Sequence, residues 1–312
     1  GDVQHYTREV ESAFRTMWRR WCAGKASVPS GDRQRAQELV ERGVSAEESG
    51  SAGQALQYYR QAIEADAGFA PAHMNLGIAL QAARDLGGAI ACYQRAIELD
   101  AGYAAAHYNL AMVRLGLGEY AQAEAGFRAA LKLRDAFPEA HVGLADALEA
   151  LGREADALDA LNTAIGQREG YVGALFNASV LLRKMGRLGE AQARLSQIPD
   201  DHPEYPFALV ASASMMPDQG RAAEAEELFH RALELRPDYH EGYSNLLFVL
   251  NYHPDRSAED IFASYRDFDD RYARPLRSEW RPHLNDRQTG RRLRVGYVSP
   301  DFCRHPCRHF IE

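Results

Sequence analysis

The segment Cys303–Phe310, CRHPCRHF, carries two cysteines and two histidines within seven positions. Thiolate and imidazole groups are the usual ligands of zinc, which binds four of them in a tetrahedron. Zinc sites normally combine two ligand pairs that come from separate parts of a chain. Here all four candidates lie between Cys303 and His309, with Pro306 between them, and the sequence has no second cluster. The spacing argues against zinc, and we expect no metal site in this chain.

The residues that must position this segment come just before it, in the stretch RLRVGYVSPDF that ends at Phe302. A short apolar run with valines and a tyrosine, closed by Ser-Pro-Asp, is typical of a buried strand followed by a loop. One strand is not stable by itself. We therefore expect residues 292–312 to be the first strand and loop of an α/β domain of which the chain holds only the start.

Composition is that of an ordinary globular protein. The chain has 312 residues, of which 46% are hydrophobic and 26% are charged. It contains no run of eighteen apolar residues, so we expect no membrane span. Its four cysteines are too few and too scattered for a disulfide framework. These features predict a reducing, cytoplasmic location.

Charge is distributed unevenly along the chain. The formal net charge is −8, made of +3 in residues 1–35, +6 in residues 271–312 and −17 between them. An acidic middle would repel phosphates, which argues against a nucleic-acid groove. The balance suits a protein that binds other proteins.

A repeat of 34 residues organises most of the sequence. Alanine recurs with this period. It is followed four residues later by a large apolar residue and, three further on, by another alanine in five of the six units. The alanines are Ala55, Ala89, Ala123, Ala157, Ala191 and Ala225. This small–large–small pattern is the tetratricopeptide repeat (TPR) signature, in which each unit is a pair of antiparallel helices. We therefore predict an all-α fold, a superhelix of stacked units with a concave face, ending in the single strand described above.

The period also predicts the domain boundaries. Six tandem units fill residues 36–239, and a seventh partial unit with a further helix from Ser257 follows in residues 240–275. Residues 1–35 contain an amphipathic helix that we expect to cap the first unit; a homodimer contact is the alternative. Residues 276–291 are polar and basic, as in a linker.

Asparagine recurs at one position of the first helix. If each unit is numbered from 1, position 6 holds Asn75, Asn109, Asn177 and Asn245, whereas the other units have Glu41, Gly143 and Ala211. Because asparagine is a mediocre helix former, its recurrence needs a reason. Its amide carries both donors and an acceptor, so the row could hold the backbone of an extended peptide in the groove. Packing between units is an equally good explanation.

Two further stretches carry a family resemblance. SNLLFVLNYHPDRSAEDIF, which starts at Ser244, and RLRVGYVSPDFCRHPCRHF, which starts at Arg292, resemble bacterial members of the O-linked N-acetylglucosamine transferase family, which includes SPINDLY-like proteins. In that family a TPR superhelix leads into a catalytic region of two Rossmann-like lobes. The position-6 asparagines are also similar to that family's peptide-holding ladder.

The resemblance implies transfer of N-acetylglucosamine from a UDP-sugar to Ser or Thr of a protein, without a metal. His305 matches the histidine of the family's HP motif at the active site, and His309 matches a second histidine. Because nearly all of the catalytic region is absent, we expect no cofactor and no transferase activity in these 312 residues, while the full-length protein would use a UDP-sugar donor. The alternative is a free-standing TPR scaffold that binds protein partners.

Overall fold

The computed structural model describes residues 31–279, and within this range every regular secondary-structure element is a helix. None of the described helices is both long and apolar enough to cross a membrane. The capping helix that the sequence predicts before residue 31, and the strand predicted in residues 292–312, lie outside the described residues. The chain divides into two units, residues 1–261 and 262–312, which are described separately.

Thirteen α-helices and a short 3-10 helix, Pro217–Gln219, lie within the described part of the first unit, and a fourteenth α-helix begins there. They are α1 (Gly31–Glu48), α2 (Ala52–Ala65), α3 (Ala70–Ala82), α4 (Leu86–Leu99), α5 (Ala104–Gly116), α6 (Tyr120–Leu133), α7 (Pro138–Ala150), α8 (Glu154–Gln167), α9 (Val172–Lys184), α10 (Leu188–Leu195), α11 (Tyr205–Ala213), α12 (Ala222–Leu235), α13 (His240–Leu250) and α14 (Ala258–Phe268). Each odd-numbered helix from α1 to α11 packs against the even-numbered helix that follows it, so six helix pairs stand in sequence.

The periodic small and large residues form the core. All six alanines that define the period are 0% exposed. The large residues four positions later are also buried, with Tyr59, Tyr93, Phe127 and Phe229 at 0%. Gly77 on α3 shows why the small residues are needed, because a Cβ there would lie 2.6 Å from Cε1 of Tyr93. The pattern therefore marks the places where helices meet too closely for a larger side chain.

Tight turns connect the two helices of each pair. In the first five pairs the turn has three residues, and its second residue has a positive φ. Glycine occupies this position in four of the five turns, as at Gly50 (φ 78°) and Gly118 (φ 78°), because it adopts the left-handed region without strain. The second pair is the exception, with Arg84 at φ 65°.

Aromatic residues stand between one pair and the next. Position 34 of every unit is aromatic: Phe69, Tyr103, Phe137, Tyr171, Tyr205 and Tyr239. In the third and fourth units an arginine three residues earlier lies over this ring, with Arg134 4.5 Å from the centroid of Phe137 and Arg168 4.6 Å from that of Tyr171. These cation–π contacts order the connections between pairs.

The fifth pair departs from the regular pattern. The sequence keeps its 34-residue register there, but α10 has only 8 residues, whereas α8 has 14. Ile198 stands where the other units have alanine, and Pro199 follows at once. Proline cannot continue a helix, so the second helix of this pair ends early.

The helix that the sequence predicts from Ser257 forms, and its first turn is capped. The Ser257 hydroxyl accepts a hydrogen bond from the Asp260 backbone amide at 3.1 Å, and the Asp260 carboxylate accepts one in return from the Ser257 backbone amide at 3.4 Å. This reciprocal arrangement is a capping box. The α-helix ends at Phe268, a π-helix continues through Asp269–Ala273, and Pro275 is the second residue of the 3-10 helix that follows. Proline is tolerated there because the first turn needs no backbone donor.

Candidate peptide-binding site on the first helices

The first helices of neighbouring units lie side by side. α1 packs against α3, α3 against α5, α5 against α7, and α11 against α13. We call the surface formed by α1, α3, α5, α7, α9, α11 and α13 the first-helix face. Position 6 of each unit lies on these helices, so the sequence-predicted asparagines all belong to this face.

Asn75 and Asn109 occupy adjacent helices, α3 and α5, and both are half-buried. Nδ2 of Asn75 donates a hydrogen bond to the Pro71 carbonyl oxygen at 2.8 Å, one turn earlier in its own helix. Nδ2 of Asn109 points at Sδ of Met74 on α3 at 3.9 Å. Both contacts use the amide nitrogen, so each side chain can also offer its carbonyl oxygen to a peptide N–H.

Asn177 is engaged differently, because it bonds to a charged group of another unit. Its Nδ2 on α9 donates to Oδ1 of Asp146 on α7 at 3.2 Å. This hydrogen bond joins the first helices of the fourth and fifth units. Asn245 lies on α13 and is exposed. The structure therefore places two asparagines on adjacent helices and separates the other two from them.

The row is interrupted at Gly143 for a steric reason. A Cβ at this position would lie 2.5 Å from Cζ of Phe127, whose ring is 0% exposed. Asparagine cannot fit at position 6 of the fourth unit unless that ring moves. The sequence shows the gap, but its cause is visible only in the packing.

Asp146 is a polar residue of the first-helix face that the asparagine pattern does not identify. Burial first, and the nearby Glu149 second, raise the pKa of Asp146 to about 6, although the hydrogen bond from Asn177 favours the charged form. A sequence signal was present. At position 9 the other units have Val44, Ile78, Met112, Val180, Ser214 and Phe248, so Asp146 is the one charged residue at this position.

A cation on the neighbouring helix α9, Lys184, is paired with other carboxylates. Nζ of Lys184 at the end of α9 lies 3.3 Å from Glu149 and 3.0 Å from Glu154. Arg183 precedes it and is exposed. Asp146 is thus close to Glu149, and Glu149 already has Lys184 as its cationic partner.

Histidines at position 4 do not form a metal site. Nε2 of His73 donates to the Ala67 carbonyl oxygen at 3.1 Å, and burial lowers the pKa of His73, which favours the neutral ring. His107 makes a similar contact with Ala101, at 3.4 Å. Within residues 31–279 no three His, Cys, Asp or Glu side chains are grouped to hold a metal ion. His305 and His309 lie outside the described residues.

Fold and sequence together define the class of this protein. Tetratricopeptide-repeat family models match residues 85–118, 108–172 and 150–213. The chain contains TPR repeats, and its described residues form an all-α solenoid of helix pairs. Repeats of this kind form interaction surfaces for peptides and proteins.

Among particular proteins, the chain is similar to plant SPINDLY proteins. It is 32% identical over 80 residues to one from Petunia hybrida and 32% identical over 81 residues to one from Arabidopsis thaliana. Both are described as probable UDP-N-acetylglucosamine–peptide N-acetylglucosaminyltransferases. These matches cover 26% and 25% of this chain but only 8% of either relative.

Solved structures support the fold. YrrB, a TPR protein with an unusual peptide-binding site, is 24% identical with a TM-score of 0.50, covering 60% of this chain and 96% of YrrB. PilF of Pseudomonas aeruginosa is 17% identical with a TM-score of 0.59, covering 69% and 98% of the two chains. Cut9 in its complex with Hcn1 is 17% identical with a TM-score of 0.54, over 70% and 46%.

Proposed function

We propose that this chain is the protein-recognition arm of a glycosyltransferase that moves N-acetylglucosamine from a UDP-sugar to Ser or Thr of a protein. In this proposal the first-helix face binds an extended segment of the substrate. The catalytic chemistry belongs to a region of which residues 292–312 are the start, with His305 at the active site.

The observation that carries the binding part is the pair Asn75 and Asn109. They occupy the same position of two adjacent first helices and both are half-buried. Because residues 34 apart on stacked units repeat at a fixed spacing, an extended backbone can meet one amide per unit. Amides that bind backbone groups accept many sequences, as an enzyme with many protein substrates requires.

The transferase part rests on the SPINDLY relatives and on the HP motif at His305. Since the matched segments cover 8% of the relatives, the donor sugar and the reaction remain part of the proposal. A sugar nucleotide needs a concave site with several converging donors, which would come from the catalytic region and not from the repeats.

Binding and chemistry are tested separately. Asn75→Ala and Asn109→Ala should each weaken binding of a substrate peptide by about 0.5–1.5 kcal/mol, the usual value of one hydrogen bond. Glu41→Ala, at position 6 of the first unit, is the matched control. Equal affinity of the double variant and the unchanged protein would contradict the binding role.

For the chemistry, a protein that continues into a complete catalytic region should transfer radiolabelled sugar from UDP-N-acetylglucosamine, and His305→Ala should abolish the transfer. The 312-residue chain should show no turnover. Turnover by this chain alone would overturn the assignment of chemistry to a further region.

A free-standing TPR scaffold is the second candidate. It is favoured by the family models, which match repeats alone. Under this alternative the asparagine variants would still weaken partner binding, but no protein extended past Glu312 would transfer sugar. The transfer assay therefore separates the two functions.

A further inference from the structure

Asp146 differs from three other carboxylates of the described residues that are well shielded from solvent. Glu124, Glu139 and Glu226 have side chains that are 17%, 10% and 9% exposed, and each forms an ion pair with at least one arginine. Asp146 is also mostly shielded from solvent, yet among the described residues it has a hydrogen bond from a neutral amide and no ion pair. A buried carboxylate is usually paired, so its lack of a cation is the feature to explain.

The charged groups on the helices around Asp146 do not supply that cation. On its own helix, Glu149 repels it. On α9, Lys184 bridges Glu149 and Glu154. On α5, Arg114 lies 4.0 Å from Glu119. Arg183, also on α9, is exposed. No cation of the described residues forms an ion pair with Asp146, so the acid keeps its negative charge without a paired cation.

The surface beside Asp146 is shaped for an aliphatic chain. Asn177, which holds one carboxylate oxygen of Asp146, stands one turn before Val180 on α9. Residues three apart on a helix lie on the same face, so Val180 is the next side chain along from the hydrogen bond. Val180 is 50% exposed, whereas the residues at the same position in the first three units, Val44, Ile78 and Met112, are half-buried. Only Phe248 of the seventh unit is a more exposed apolar residue at this position, at 63%.

We propose that Asp146, Asn177 and Val180 form a subsite on the first-helix face that binds a lysine or arginine side chain of the bound peptide. The cationic head would meet the open oxygen of Asp146 while the aliphatic stem lies across Val180. This inference rests on the proposed function, since it needs a peptide on the first-helix face. It adds a preference that the backbone-binding asparagines cannot provide.

Charge complementarity decides against the other ligand classes. An acidic side chain would meet both Asp146 and Glu149, and an apolar one would leave the carboxylate buried without a partner. A cation offsets both the desolvation of Asp146 and the repulsion from Glu149. Shielded carboxylates whose titration is strongly perturbed in this way concentrate at functional sites.

The test selects twelve-residue peptides from a random displayed library on the immobilised full chain, on the variant Asp146→Asn, and on the control Asp159→Asn. Asp159 is an exposed acid on α8, so the control makes the same change in net charge away from the first-helix face. Lysine or arginine should be enriched at one fixed position in peptides selected by the unchanged chain and by the control. That enrichment should disappear with Asp146→Asn.

Selected peptides are then made with norleucine in place of the enriched lysine, which removes the charge and keeps the stem. The exchange should weaken binding to the unchanged chain about tenfold and leave binding to Asp146→Asn within about twofold. Peptides that depend on Asn75 and Asn109 but show no preference for a cation would overturn the subsite and keep the binding face. Absence of any peptide that depends on these asparagines would overturn the proposed peptide binding and the subsite with it.

Discussion

Nδ2 of Asn177 donates a hydrogen bond to Oδ1 of Asp146 at 3.2 Å, and it does so between first helices of two successive units. The amide that the sequence assigns to a peptide ladder is thus already bound to an acid of the protein itself. Under the proposed function, Asn75 and Asn109 would hold the peptide backbone, whereas the amide of Asn177 orients a carboxylate.

Asp146→Asn should stabilise the protein at neutral pH. The pKa of Asp146 is about 6 in the folded protein against an ordinary value of 3.8, so the folded state binds more protons than the unfolded state between these values. Stability then falls as pH rises through this window. We expect the variant to gain about 1–3 kcal/mol at pH 7.5 and almost nothing at pH 3.5, measured by urea unfolding. Equal gains at both pH values would contradict the ionisation of Asp146 as the cause.

Arg84→Gly should also stabilise the chain. Arg84 is exposed and has a φ of 65°, in the turn where the neighbouring units carry glycine. The left-handed region costs a non-glycine residue about 1 kcal/mol, partly offset by the greater freedom of glycine when unfolded. We expect a gain of about 0.5–1 kcal/mol in the free energy of unfolding. Arg84→Ala should give no gain, since alanine meets the same backbone strain.

Gly77→Ala should destabilise the second helix pair. The added methyl group would lie 2.6 Å from the ring of Tyr93, which is fully buried and cannot move without disturbing its neighbours. Overpacking of this kind costs about 1–3 kcal/mol. Gly166→Ala on α8 is the matched control, because it meets no atom within 4 Å and should gain about 0.5–1 kcal/mol from helix propensity. Thermal unfolding of both variants should shift in opposite directions.

Arg256→Met should lower the free energy of unfolding by more than is usual for a substitution at a largely exposed residue. Arg256 forms a two-pronged ion pair with Glu226, whose side chain is only 9% exposed. Removing the cation leaves a shielded carboxylate with the weaker partners His230 and His253, at a cost of about 1–3 kcal/mol. Adding Glu226→Gln should recover most of this loss, because no buried charge then remains. A double variant as unstable as Arg256→Met would show that packing, and not charge, is responsible.

The repeat architecture of this chain could be predicted from sequence. A 34-residue period of alanines and large apolar residues describes contacts between neighbouring helices, and such local contacts repeat wherever the letters repeat. For the same reason, the sequence shows the Ser257–Asp260 pair of the capping box and the absence of asparagine at Gly143. The early end of α10 also has a local cause, Pro199. The 34-residue period continues through this unit, so the period alone does not reveal the shorter helix.

The role of each polar residue was decided only by tertiary structure. The same residue type occupies position 6 at Asn75, Asn109 and Asn177. The partners of their amide nitrogens are, respectively, a backbone carbonyl, a methionine sulfur and a carboxylate. Those partners come from the local turn or from another unit, up to 35 residues away. The pKa of Asp146 likewise depends on burial and on Glu149. Periodicity determines which residues repeat, whereas the polar chemistry depends on the neighbours that folding brings to each one.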